Sequence, residues 1–164
     1  MTDLWLLVDV DGTLSPEGPV PGPAYRARSR SGDIAVPRTS IAALQAAYHR
    51  GVRLAWYTAR EEDAEELLGP VFDLPSIPFV PLSWGMDDPN VLKALGLVDW
   101  LEYHPSGRYA LLDDVDPQVP LPQNVRLFRV DPRVGLTPGD VERALDWLFS
   151  APPSQSWSCY TACL

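Results

Sequence analysis

Two carboxylates, Asp9 and Asp11, stand two residues apart at the end of an apolar run, 4–8, and are followed at once by Gly12, Thr13 and Leu14. Uncompensated charge at the end of a buried strand is expensive, so the pair requires a cation or strong hydrogen-bond donors. Oxygen ligands of this kind suit a hard divalent cation, Mg²⁺. Two more apolar runs end in polar residues: 52–57 leads into Thr58, Ala59 and Arg60, and 109–112 leads into Asp113, Asp114 and, two positions on, Asp116. A hydroxyl such as that of Thr58 can both donate and accept hydrogen bonds. Adjacent aspartates repel each other unless a cation intervenes. Lys93 is the single lysine beside twelve arginines. Its compact ammonium can neutralise both a carboxylate and a bound anion.

These groups work together only if separate strands deliver them to one place. Hydrophobic runs at 4–8, 52–57, 79–82, 109–112 and 125–130 read as strands. Between them, periodic patterns at 40–50, 61–68, 88–96 and 137–149 read as helices, with further helical turns at 97–103. Thr39 is the expected cap of the first helix; Gly51, Gly69-Pro70 and Gly96 are the expected stops of the first three. Alternating strands and helices predict an α/β fold: a doubly wound, Rossmann-like parallel sheet of about five strands with helices on both faces. Ligands of such sheets sit at the carboxyl ends of the strands, where Asp9, Asp11, Thr58, Asp113 and Asp114 all fall.

The length, 164 residues, and a hydrophobic content of 46% predict one compact domain, closing near residue 150. Residues 15–36 are rich in proline and glycine and read as a long loop or flap. Arg26, Arg28 and Arg30 alternate within it, so on extended chain they project to one side, toward an anionic ligand at the strand ends if the flap folds over the site. A solvated basic loop is the alternative. No apolar run is long enough to span a bilayer, and no secretory leader is evident, which makes the cytoplasm the expected location. The net charge of −9 argues against a broad nucleic-acid-binding surface. Cys159 and Cys163 lie in a tail, 151–164, where they cannot staple the domain.

The stretch Asp9-Val10-Asp11-Gly12-Thr13-Leu14 after a hydrophobic strand resembles the first motif of haloacid-dehalogenase-like (HAD) phosphatases. Thr58, Lys93 and Asp113-Asp114 follow in the order of that family's other three motifs. The resemblance implies that Asp9 is a nucleophile forming an aspartyl-phosphate and that Asp11 is the general acid and base. It implies Mg²⁺ on Asp9, Asp113 and the backbone carbonyl of Asp11, with Thr58 and Lys93 binding phosphoryl oxygens and Arg60 as the understudy of Lys93. Asp114, or else Asp116, would hold a metal-bound water or Lys93. The gaps between motifs leave no room for a large cap, so an open site is expected. A weaker similarity to small HAD domains of bacterial RNA-repair systems extends the substrate class to an RNA or DNA end. The Ser-, Thr- and Cys-rich tail also resembles the core of a thioether-bridged peptide, which would make the domain a carrier or recognition module.

Overall fold

The computed structural model describes residues 2–29, 32–85 and 87–150. The tail with Cys159 and Cys163, and Arg30 of the flap, lie outside the described residues. In chain order the elements are β1 (Leu4–Val8), β2 (Ala24–Ala27), β3 (Ile34–Pro37), α1 (Arg38–His49), β4 (Arg53–Trp56), α2 (Glu62–Phe72), α3 (Pro89–Glu102), β5 (Arg108–Asp113), β6 (Val125–Arg129) and α4 (Pro138–Phe149).

Four strands form one parallel sheet in the order β4-β1-β5-β6. β1 lies inside it, flanked by β4 and β5, and β5 is buried along its whole length. Such strands carry continuous apolar sequence because both faces are covered. Leu6, Val8, Leu54, Trp56, Ala110 and Leu112 join the core under α1, α2 and α4. Their neighbours Trp5, Leu7, Ala55, Tyr57, Tyr109 and Leu111 pack on the other side with Leu97 and Leu101 of α3. The two-residue alternation of the strands thus sorts one apolar sequence into two cores.

The segment 79–82 does not become a fifth strand of the sheet. It adds one bridge at the edge: Trp56 N donates to Pro78 O at 2.8 Å and Val80 N to Trp56 O at 2.8 Å. The next ladder donor, Leu82 N, is taken by Glu61 Oε1 at 3.0 Å. Residues 15–36, expected as loop, contain an antiparallel hairpin in which Ala24 pairs with Pro37 and Ala27 with Ile34. Val36 and Ile34 are buried in the core, which holds the hairpin against the domain.

Three helix ends also differ from expectation. α1 starts directly after Pro37, without a side-chain cap, and Thr39 lies inside it. α2 passes through Gly69 and Pro70 to Phe72, because Leu67, Leu68 and Phe72 are buried and Pro70 sits in the last turn. α3 runs through Gly96 as far as Glu102. A Cβ on Gly96 would lie 2.0 Å from Pro81 O, so this glycine permits a close approach rather than ending a helix. The start of α3 follows the sequence: Asp88 accepts from Asn90 N at 2.8 Å with Pro89 in the first turn. α4 carries a capping box between Thr137 and Asp140. Its carboxyl end is closed by Arg108, at the start of β5, which donates to Leu148 O at 3.1 Å and to Ser150 O.

Candidate active site

The ladder carries three strand ends to one rim. Asp9 follows Val8 of β1, and its N–H donates to Leu112 O of β5 at 3.0 Å. On the other side Tyr57 N, just past β4, donates to Val8 O at 2.9 Å. Asp9 is therefore flanked by Asp113 and by the Tyr57-Thr58 turn. Asp9, Thr58 and Asp113 are 4%, 2% and 2% exposed.

Lys93 reaches this rim from the second turn of α3. Its Nζ donates to Asp9 Oδ1 at 2.9 Å and to Asp113 Oδ2 at 2.8 Å, and lies 4.8 Å from the centre of the Tyr57 ring. Burial pulls the Lys93 ammonium down, but the two carboxylates outweigh it and hold it above the ordinary lysine value. One ammonium cannot fully serve two buried carboxylates. Burial pushes the Asp9 carboxyl up to about 7 against the pull of Lys93, with the Asp113 charge adding to the rise. Burial likewise raises Asp113. The Tyr57 phenol is driven upward by burial and by the Asp113 and Asp9 charges, so its ring stays neutral beneath the lysine.

Asp114 joins Asp9 and Asp113: one carboxylate oxygen from each lies within 4.8 Å of the others. Two features place it. Thr13, fully buried, directs Oγ1 to Asp114 Oδ1 at 3.3 Å. Gly12, at φ +77°, leaves the space that the Asp114 carboxylate fills. Three carboxylates facing one ammonium leave a net negative centre of oxygen donors, a set that fits a hard divalent cation. The side chain of Asp11 is not in this group; the ligand expected there is its backbone carbonyl.

Both oxygens of Asp11 instead meet Arg60. Nε donates to Oδ2 at 2.7 Å and Nη2 to Oδ1 at 2.6 Å, a bidentate pair whose arginine side chain is 6% exposed. The third nitrogen, Nη1, donates to Ser29 Oγ at 3.3 Å and Gly32 O at 3.2 Å, at the end of the β2–β3 hairpin. The turn that delivers Arg60 is strained: Glu61 has φ +45° without being glycine, and its carboxylate holds Leu82 N. Arg60 N faces Thr58 Oγ1 at 3.4 Å.

The structure thus brings Asp9, Asp113, Asp114, Lys93 and Thr58 to one rim, and binds Asp11 to Arg60 beside it. Asp116 is turned away, its Oδ2 accepting from Arg129 at 2.6 Å on the surface. Arg26 and Arg28 line a groove with Ser15, Pro16 and Asp33, none of which belongs to the acidic cluster. Arg28 pairs with Asp33 across the hairpin at 3.5 Å. Sequence reasoning missed Tyr57 as the floor under Lys93 and Thr13 as the donor to Asp114. The signals were present: an aromatic one residue before Thr58, and a hydroxyl directly after Gly12.

No family model and no curated protein sequence matches the chain. Among solved structures it is similar to a hypothetical protein from Xanthomonas campestris, at 20% identity over 88% of this chain and 82% of that one, with a TM-score of 0.48. It is also similar to a protein from Vibrio cholerae described as a 3-deoxy-D-manno-octulosonate 8-phosphate phosphatase, at 17% identity over 90% and 83% of the two chains, TM-score 0.48. A Streptomyces avermitilis protein described as a HAD family hydrolase matches at 17% identity over 69% of this chain and 57% of that one, TM-score 0.39.

Proposed function

We propose that the chain is a divalent-cation-dependent phosphatase of the HAD type, hydrolysing phosphomonoesters through Asp9. The observation that carries this reading is the position of Lys93 Nζ, within 2.9 Å of Asp9 and 2.8 Å of Asp113 at the carboxyl rim of the sheet. Phosphoryl transfer asks mainly for positioning and neutralisation of charge, and this rim concentrates groups of both kinds. Mg²⁺ held by Asp9, Asp113, Asp114 and the Asp11 carbonyl would supply the positive charge that lets two anions approach.

In this reading an Asp9 carboxylate oxygen forms a bond to phosphorus as the bond to the leaving oxygen breaks, and Asp11 gives that oxygen a proton. A water oxygen then displaces Asp9 from phosphorus, with Asp11 taking the water's proton, which releases phosphate and restores both aspartates. Lys93 holds Asp9 in place and, with the Thr58 hydroxyl, binds phosphoryl oxygens. In this reading Arg26 and Arg28, which line the groove beside the hairpin, contact the remainder of the substrate. Among the described residues the hairpin is the one insertion after the first motif, and it is too small to enclose a substrate by itself. An open rim of this kind admits a nucleic-acid end as readily as a small phosphoester.

The test is hydrolysis of p-nitrophenyl phosphate with Mg²⁺ and with chelator, in the wild-type chain and in Asp9→Asn. Turnover that needs the cation and disappears in the variant, with circular dichroism unchanged, is the expected result. Equal turnover in the two proteins would refute the reading.

A further inference from the structure

Arg60 is placed where two parts of the molecule meet. Its side chain is buried at 6% exposure, yet it grips both oxygens of Asp11, which is 59% exposed. Nε and Nη2 occupy both oxygens of Asp11, while Nη1 reaches Ser29 and Gly32 of the hairpin. The guanidinium is rigid and planar, so what moves one set of contacts disturbs the other. The backbone beside it is held off its ordinary minima at Glu61, whose side chain is tied to Leu82. Arrangements of this kind persist only where the surroundings enforce them.

Resting on the phosphatase reading above, we propose that Arg60 is a positioning residue that couples the hairpin to the general acid. While the hairpin end is docked on Nη1, the guanidinium fork keeps both oxygens of Asp11 engaged. Asp11 hands a proton to a leaving oxygen only after this clasp opens, so undocking of Ser29 and Gly32 from Nη1 and readiness of the acid are a single event. The substrates affected are those whose leaving oxygen needs a proton, alkyl phosphomonoesters. Aryl esters with a stable leaving anion, such as p-nitrophenyl phosphate, depend on the acid much less.

Two measurements test this. The first is hydrogen exchange of the backbone amides in 24–27 and 34–37 for the wild type, Arg60→Gln, Asp11→Ala and the double variant, with Arg129→Ala as a surface ion-pair control. Each single variant is expected to speed exchange in the hairpin about tenfold, the double variant no further, and the control not at all. Unchanged hairpin exchange in Arg60→Gln, or additive effects in the double variant, would overturn the coupling, whatever the enzyme turns out to hydrolyse. The second is the ratio of kcat for an alkyl phosphate to kcat for p-nitrophenyl phosphate. With the clasp removed, Arg60→Gln should raise that ratio several-fold, whereas simple loosening of the fold would lower both rates together. A ratio that is unchanged or reduced would dismiss the role given to Arg60. Absence of turnover in the wild type would refute the phosphatase reading instead, and the exchange data would still decide the coupling.

Discussion

A Cβ built on Gly12 would lie 2.7 Å from Oδ2 of Asp114. Glycine is required there twice over, since its φ of +77° also disfavours any other residue. Gly12→Ala should destabilise the fold by about 1–3 kcal/mol, from backbone strain and crowding. It should also weaken the response to Mg²⁺, because the alanine displaces one carboxylate of the cluster. Urea unfolding with and without Mg²⁺ gives both quantities. A variant as stable and as responsive as the wild type would contradict the close approach.

Lys93 compensates two carboxylates that are almost wholly buried. Lys93→Ala leaves both without a cation, and removing one partner of such a group costs roughly 3–5 kcal/mol. The loss should be smaller at pH 5 than at pH 8, because protonation of Asp9 and Asp113 relieves it. Unfolding curves at the two pH values in the presence of a chelator would measure the difference. Equal losses at both would mean that the lysine acts by packing alone.

The cation-free wild type has its own pH dependence. The Asp9 carboxyl is raised from 3.8 to about 7, chiefly by burial, so between those values the folded chain binds more protons than the unfolded one. Stability from this group is therefore fully present below about pH 4 and is lost as pH rises through about 7. Asp113 is shifted in the same direction and adds to the decline. Protons and a divalent cation compete for these carboxylates, so Mg²⁺ should bind more tightly at pH 8 than at pH 6 and restore the stability lost on that side. Calorimetric titration of Mg²⁺ at the two pH values would check the competition, and affinity that is flat with pH would argue against binding at Asp9.

Gly96 provides a test of how α3 is seated. A Cβ there would meet the Pro81 carbonyl at 2.0 Å, inside any tolerable contact. Gly96→Ala should push α3 off the 81–83 segment and cost about 1–3 kcal/mol, although alanine is the better helix former. Lys93 lies one turn earlier on the same helix, so activity on p-nitrophenyl phosphate should fall as well. A more stable variant would show that the helix is free to shift.

The same glycine shows where sequence reasoning succeeds and where it stops. Runs such as 4–8 and 109–112 declare themselves because a buried parallel strand has no polar face, and the carboxylates after them mark the rim. The position of Lys93 at the rim is legible through its rarity in the composition and its place in the order of the motifs. Gly96 and Pro70, by contrast, read locally as helix stops, while packing decides them: the approach to Pro81 for the first, the burial of Phe72 for the second. The hairpin at 24–37 was hidden by the prolines and glycines around it. The pairing of Arg60 with Asp11 joins residues 49 positions apart, and no local pattern encodes it.

Arg108 binds the carbonyls of Leu148 and Ser150 at the first residue of β5, whereas Asp113 closes the last. Five steps along that strand put roughly 17 Å between the two poles. Ser150, the last described residue, is therefore held at the pole away from the acidic rim. A fluorophore or solid support attached at Ser150 should leave the three-carboxylate rim unobstructed.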